Sequence, residues 1–349
     1  MSTVYVVEAG ARLEKEYGRL LVTLNDEVIL RVPIARVSRV VLVGRAGATT
    51  AALHALLEAG IPLLLVNRSG KLLGQLAPPM PGNLLLRRAQ YGRDGDGAFG
   101  LRLARDIVAG KLRNQRALAG RLARRSQLGI RNDELGITNE EEEAAAGRAG
   151  VGAALTGAIG RAATAADLDT LRGIEGQAAR LYFAAYRAAF DPAWGFVNRN
   201  RRPPRDPINA LLSLGYTLLT QNMMTALEVV GLDPYLGYFH AETYNRPALA
   251  LDLVEEFRAP VVDSLTLWLV NRRILQPDDF RPAESGGVEL TDTALRHYLL
   301  QFSRKLESAV LVRELGRKLA YRKLFEVQAR RLARVVTGDE AEYRAFRAR

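Results

Sequence analysis

The sequence predicts an α+β protein, with a small N-terminal β-sheet domain followed by a larger all-α C-terminal domain. Three observations predict it. The first 78 residues are dominated by short β-branched runs, beginning with Val4 to Val7. The stretch APPMPGN at 77–83 then interrupts any strand or helix with three prolines and a glycine. Beyond it, apolar residues recur every three to four positions nearly to the end. The division expected is 1–78 for the β domain, 79–90 for a proline-rich linker and 91–349 for the helical domain.

Composition narrows the function. At 349 residues with 48% apolar content the chain is globular and long enough for two domains. The net charge of +11 favours a polyanionic partner, nucleic acid or an anionic membrane surface, over a merely solvated basic surface. There is no cysteine, which excludes disulfides, thiolate metal sites and a cysteine nucleophile. The N-terminus, MSTVYVVEAGARLEKEYG, lacks the basic-then-apolar order of a signal peptide. No apolar run reaches the roughly 18 residues of a membrane span. A soluble, intracellular protein with no membrane partner is expected.

In the β domain, GRLLVTLNDEVILRVPI gives two strands around Asn25-Asp26, a pair that tolerates left-handed geometry. VSRVVLVG, IPLLLVN and KLLGQL supply further strands. TTAALHALLEAG is a helix capped by Thr49 or Thr50 and stopped at Gly60. His54, without an acidic neighbour, reads as a packed or surface residue. This makes a small sheet domain with one helix.

After the linker, LLLRRAQYG and FGLRLARDIVAGKLRNQRALAGRLARRSQ form a helix pair. It carries Arg102, Arg105, Lys111, Arg113, Arg116, Arg121, Arg124 and Arg125, with almost no acidic i, i+4 partners. Either a solvated face or a phosphate-facing one fits. Residues 130–166, with Glu140 to Glu143 and an Ala/Gly-rich run, suggest a flexible loop and a helix from near Gly152. Further on, VVDSLTLWLVNRRIL packs an apolar face with Trp268. A turn at Gly286-Gly287 precedes a helix capped by Thr291 or Asp292, on which His297 is a surface residue. The last helix, LGRKLAYRKLFEVQARRLARVVTG, ends at Gly338.

The chemistry concentrates between Glu175 and Glu255. Glu175 lies on a helix from Asp167 to Tyr186, on a face with Ala178, Ala179 and Tyr182. The expected core stripe is Leu168, Leu171, Ile174, Ala178 and Leu181. Gly173, Gly176 and Ala179 leave room around the carboxylate, although a lone surface glutamate would look the same. Arg199, Arg201, Arg202 and Arg205 cluster in a loop stiffened by Pro203, Pro204 and Pro207. Asp206 is placed to cap the helix that follows, so the loop reads as a phosphate site. His240 sits in a loop among aromatics. Asp252 and Glu255 follow at i, i+3 on a helix that starts near Pro247 and stops before Pro260. One imidazole nitrogen with two or three carboxylate oxygens suits Mg or Mn before Zn. An acidic stripe paired with arginines is the competing reading.

Five stretches carry a resemblance: KLRNQRALA at 111–119, GIEGQAARLYF at 173–183, RNRRPPRDPINALLSLGYTLL at 199–219, FH at 239–240 through RPALALDLVEEFR at 246–258, and YRKLFEVQARRL at 321–332. In order and spacing the chain resembles the CRISPR adaptation integrase family, the CRISPR-associated endonucleases of spacer acquisition. The resemblance implies a β domain that forms a homodimer and a helical, metal-dependent catalytic domain. It implies metal ligands Glu175, His240 and Glu255, with Asp252 assisting; some members carry aspartate in place of Glu255. It implies joining of the 3′-hydroxyl ends of captured foreign DNA into the repeat array by phosphodiester transesterification. It also implies a complex in which two dimers flank a small adaptation partner protein, in the cytoplasm of a prokaryotic cell. Lys111, Arg113, Arg199, Arg201, Arg202 and Arg205 are expected contacts to double-stranded DNA. No base-reading module is visible, so sequence choice would come from DNA shape or a partner. Two alternatives stay open: a non-catalytic DNA-binding scaffold of the same fold, and a transposon-borne integrase relative.

Overall fold

The computed structural model describes residues 2–68, 72–77, 83–127, 139–200, 203–283 and 286–348, with only the backbone described for 2, 125–127 and 139–149. The N-terminal part runs β1 (Ser2–Val6), β2 (Arg12–Glu16), β3 (Arg19–Leu24), β4 (Glu27–Pro33), β5 (Val37–Val43), β6 (Gly47–Ala48), α1 (Thr50–Glu58), β7 (Leu63–Val66) and β8 (Leu72–Leu76). Asn25 and Asp26 both take positive φ, 51° and 64°, and close the β3–β4 hairpin with the twist a two-residue turn needs. Thr49 caps α1 by accepting from Ala52 N.

The strands make two four-stranded sheets rather than the single small sheet expected, in the orders β1-β5-β7-β8 and β4-β3-β2-β6. The strand that escapes the sequence pattern is β2, RLEKE, whose only buried residue is Leu13. Two apolar faces explain the continuous run in β5. Val40 and Leu42 point into the core between the sheets, with Leu13, Leu20 and Leu56. Val41 and Val43 point the other way, into the helical core, along with Leu64 and Val66 of β7. Each such side chain, removed from water, contributes about 1.5–3 kcal/mol. Buried Arg39 adds a directional contact across the junction, donating to Asn222 Oδ1 at 2.7 Å.

The helical part comprises α2 (Leu84–Tyr91), α3 (Gly97–Gln127), α4 (Asn139–Ala163), α5 (Leu168–Arg187), α6 (Pro207–Val230), α7 (Ala248–Phe257), α8 (Ser264–Asn271), α9 (Asp292–Glu307) and α10 (Tyr321–Thr337). Two short hairpins interrupt it: β9 (Phe280–Pro282) with β10 (Val288–Leu290), and β11 (Ala309–Val312) with β12 (Arg317–Ala320). Helix α2 occupies the second half of the stretch read as linker, while 78–82 lie outside the described residues.

Several expectations are corrected. Helix α4 begins at Asn139 and not near Gly152, because alanine and glutamate propagate a helix through isolated glycines. The last helix begins at Tyr321; Arg317–Ala320 pairs with β11 instead. Leu181 and Trp268 face solvent, at 39% and 43% exposure. The buried stripe of α5 is Leu171, Ala178, Tyr182, Ala185 and Tyr186. His54 and His297 are exposed, as expected.

Helix α6 is the axis of the domain. Asp206 caps it by accepting from Asn209 N at 2.8 Å, and Gly231 ends it at φ 97°. At Gly215 a Cβ would lie 2.3 Å from the Tyr298 hydroxyl and 2.5 Å from a Val262 methyl, so only glycine allows α6 to approach these neighbours.

Candidate metal centre

Four segments meet at the site: α3 with Lys111, α5 with Glu175, the loop 231–247 with His240, and α7 with Asp252 and Glu255. The loop is seated on the start of α7. Pro234 O accepts from Leu249 N at 3.0 Å and Ala250 N at 3.3 Å, which caps a helix whose N-cap, Pro247, offers no side-chain bond. Gly237 lets the two backbones touch, since a Cβ there would come within 3.0 Å of Ala248 and Leu249.

Asp252 fixes the loop from below and is fully buried. Its Oδ2 accepts from Tyr238 N at 2.7 Å and Phe239 N at 3.1 Å. Its Oδ1 accepts from His240 N at 2.9 Å and lies 2.7 Å from His240 Nδ1. A carboxylate can only accept here, so the neutral imidazole carries its proton on Nδ1 and presents the Nε2 lone pair. Nε2 points toward Glu255 Oε1, 3.7 Å away. Arg172 pins the same loop by donating to Phe239 O at 2.8 Å.

Glu255 is 3% exposed. Its Oε1 pairs with Arg258 at 2.9 Å, and its Oε2 lies 2.7 Å from Lys111 Nζ. That second contact is at ion-pair distance without hydrogen-bond geometry, so Oε2 is a buried carboxylate oxygen lacking a directional partner. Burial pushes the Glu255 carboxyl up; the cations Arg258 and Lys111 outweigh it and hold the group well below the usual carboxylate range. Lys111 also pairs with Glu175 Oε1. Burial pulls the Lys111 ammonium down, and the charges of Glu255 and Glu175 raise it net.

Arg258 is oriented in turn. It lies 4.7 Å over the Tyr216 ring, with Arg199 at 5.4 Å from that same ring. The hydroxyls of Tyr216 and Tyr182 donate to Asp263 at 2.5 and 2.6 Å. Helix α7 ends at Phe257, before Pro260 as expected, and the chain continues through a π-helical turn, Arg258–Asp263, into α8. Proline lacks an N–H, so the Glu256 carbonyl loses its helical donor. Asn114 of α3 supplies the bond instead, at 2.7 Å.

Glu175, His240 and Glu255 are thus brought to one place, and Asp252 stands behind His240 with both oxygens engaged. The donor set fits a hard or borderline divalent ion: one imidazole nitrogen and two carboxylates, one of which has a buried oxygen outside hydrogen-bond geometry. Among the described residues no three acidic or histidine groups form a ready-made metal cluster. The Lys111 ammonium stands between the two carboxylates.

The residues expected to touch DNA divide. Lys111 is 7% exposed and belongs to the centre itself. Arg199 is half-buried, donating to Asn209 at 2.7 Å and Ser213 at 3.1 Å. Arg113 lines a cleft of about 260 Å³ with Arg102, Arg105, Asp106 and Glu342. Arg205 is exposed, and Arg201 and Arg202 lie outside the described residues. Sequence reasoning missed Arg258, Asn114 and the role of Lys111. The available signal was KLRNQ, where Lys111, Asn114 and Gln115 share one helical face among apolar neighbours.

A family model described as CRISPR associated protein Cas1 matches residues 4–304. The chain is 34% identical over 349 residues to a CRISPR-associated endonuclease Cas1 of Chlorobaculum tepidum, covering 99% of this chain and 98% of that one. It is 37% identical to a CRISPR-associated exonuclease Cas4/endonuclease Cas1 fusion of Rhodospirillum rubrum, covering 97% of this chain but only 56% of the fusion. Among solved structures, a casposase bound to integration product matches with a TM-score of 0.82 at 22% identity, covering 99% of this chain and 93% of that one; it supports the fold. On the family match and these identities, the chain belongs to the Cas1 family of CRISPR-associated proteins.

Proposed function

We propose that the protein is a divalent-metal-dependent DNA endonuclease and integrase of CRISPR adaptation. It joins 3′-hydroxyl ends of captured DNA into a repeat array by phosphodiester transesterification. The observation that carries this reading is the convergence of Glu175, Glu255 and the Nε2 face of His240. Relatives named as Cas1 endonucleases support it. Mg or Mn held by these three side chains would lower the charge on the scissile phosphate and stabilise the entering and leaving oxygens. The chain's own residues do the rest. Asp252 holds His240 in the tautomer that leaves Nε2 unprotonated. Arg258 fixes the Oε1 side of Glu255. Exposed Arg205 and the basic surface, with its net charge of +11, hold the duplex backbone, so binding weakens steeply with salt.

The same reading extends to assembly. Strand β4 lies at a sheet edge and exposes Val28, Ile29 and Leu30, which suits a homodimer formed through the β domain. A small adaptation partner bridges two such dimers. No helix among the described residues is long and apolar enough to cross a membrane, and we place the protein in the prokaryotic cytoplasm.

The test is joining of a labelled duplex with free 3′-hydroxyl ends to a supercoiled repeat-bearing plasmid. It is run with Mg, Mn or neither, with and without the small partner. Wild type joins only with metal, and Glu175→Ala and His240→Ala do not join while still binding DNA. Equal joining by either variant removes the site assignment. DNA binding without products under any divalent ion, with the partner active, favours the non-catalytic scaffold.

A further inference from the structure

We propose that Lys111 is a built-in counter-ion of the metal centre, holding Glu175 and Glu255 together without a divalent ion and yielding its place when one binds. The inference rests on the metal-site reading above. A buried lysine paired with carboxylates is ordinarily a structural ion pair. Here its two partners are the carboxylates that converge with His240, and Nζ stands between them.

Three features make the ammonium displaceable. Its contact with Glu255 Oε2 falls outside hydrogen-bond geometry, so that ion pair is less directional than the hydrogen bond it donates to Glu175 Oε1. Arg258 keeps Oε1 at 2.9 Å, so Glu255 retains a cation when Lys111 leaves. Glu175, with a side chain 22% exposed, opens the group toward solvent and gives the flexible lysine stem a way out. A divalent ion bonds carboxylate oxygens at roughly 2.0–2.6 Å. One bonded to both carboxylates would stand against Nζ, and like charges at that distance in a buried site repel strongly.

The test is Mn²⁺ titration of the full chain, following the free-ion resonance, for wild type, Lys111→Met, Lys111→Arg and His240→Ala. Lys111→Met removes the competing charge at nearly constant volume, so Mn²⁺ binds roughly tenfold tighter or more. Lys111→Arg keeps the charge and stays near wild type. Equal or weaker binding by Lys111→Met, with wild type retaining a site that His240→Ala abolishes, overturns the counter-ion role and leaves the metal centre standing. Absence of any His240-dependent site in wild type overturns both. Should Lys111→Met not fold, acylation of Lys111 in wild type decides, read by mass spectrometry. Mn²⁺ exposes the amine and speeds its modification; an unchanged rate overturns the proposal.

Discussion

Replacing Asp252 by asparagine separates a positioning role from a ligand role. The side chain keeps its shape but exchanges one acceptor oxygen for a donor. In the structure both oxygens are fully used: Oδ2 by the N–H groups of Tyr238 and Phe239, Oδ1 by the N–H and Nδ1 of His240. One orientation of the amide sets its NH₂ against two backbone donors and unseats the loop. The other sets it against His240, whose Nδ1 then accepts, so that the ring proton moves to Nε2 and removes the lone pair facing Glu255. The first case loses two buried bonds, and the second loses one, that of the His240 backbone N–H. At about 1–3 kcal/mol per unsatisfied buried group, the loss is about 1–6 kcal/mol of stability. Metal affinity falls by roughly 10- to 100-fold, as for other carboxylates behind a ligating histidine. Urea denaturation and Mn²⁺ titration of Asp252→Asn measure the two effects. Stability within about 0.5 kcal/mol of wild type together with unchanged affinity would refute the reasoning.

Other perturbations follow from single contacts. Gly215→Ala in mid-helix would ordinarily stabilise, but the clash with Tyr298 and Val262 reverses the sign, so the variant unfolds at lower urea by about 1–3 kcal/mol. Glu256 is pushed up to about 7, chiefly by burial, against the bonds from Tyr343, Phe346 N and Gln328 that favour its charged form. Its folded value lies above the unfolded one, so the native state binds more protons between about pH 4.5 and 7, and stability falls by about 3 kcal/mol as pH rises through that window. Glu256→Gln mimics the protonated form and flattens that slope in pH-dependent denaturation; an unaltered slope argues against this assignment. Ile29→Glu on the exposed β4 edge shifts the dimer of the proposed assembly toward monomer in light scattering, while thermal unfolding changes little.

The β domain is legible because its strands advertise themselves locally. Asn25-Asp26 names its own turn, and the aliphatic runs name β5 and β7 as strands. Strand β2 does not, because Leu13 is its single buried side chain and its ladder depends on β3 and β6. Composition also misleads between Asn139 and Gly152, where the glutamate run and the glycines suggest a loop that alanine and glutamate propensity override. At the site, Glu175, His240 and Glu255 are named by resemblance; their spacing alone does not select them. Lys111 reads as one more cation on a basic helix, since nothing local says that α3 is covered by α4, α5 and α7. Arg258 and Asn114 are hidden for the same reason. Their partners come from other helices, and the missing N–H of Pro260 matters only once Asn114 stands beside the Glu256 carbonyl.

The most direct test of the metal centre is anomalous scattering from Mn²⁺-soaked crystals of wild type and His240→Ala. A peak bounded by Glu175, Glu255 and Nε2 of His240 in wild type, absent in the variant, is the result expected. A peak elsewhere, or the same peak in both proteins, would contradict the assignment of these three side chains as its ligands.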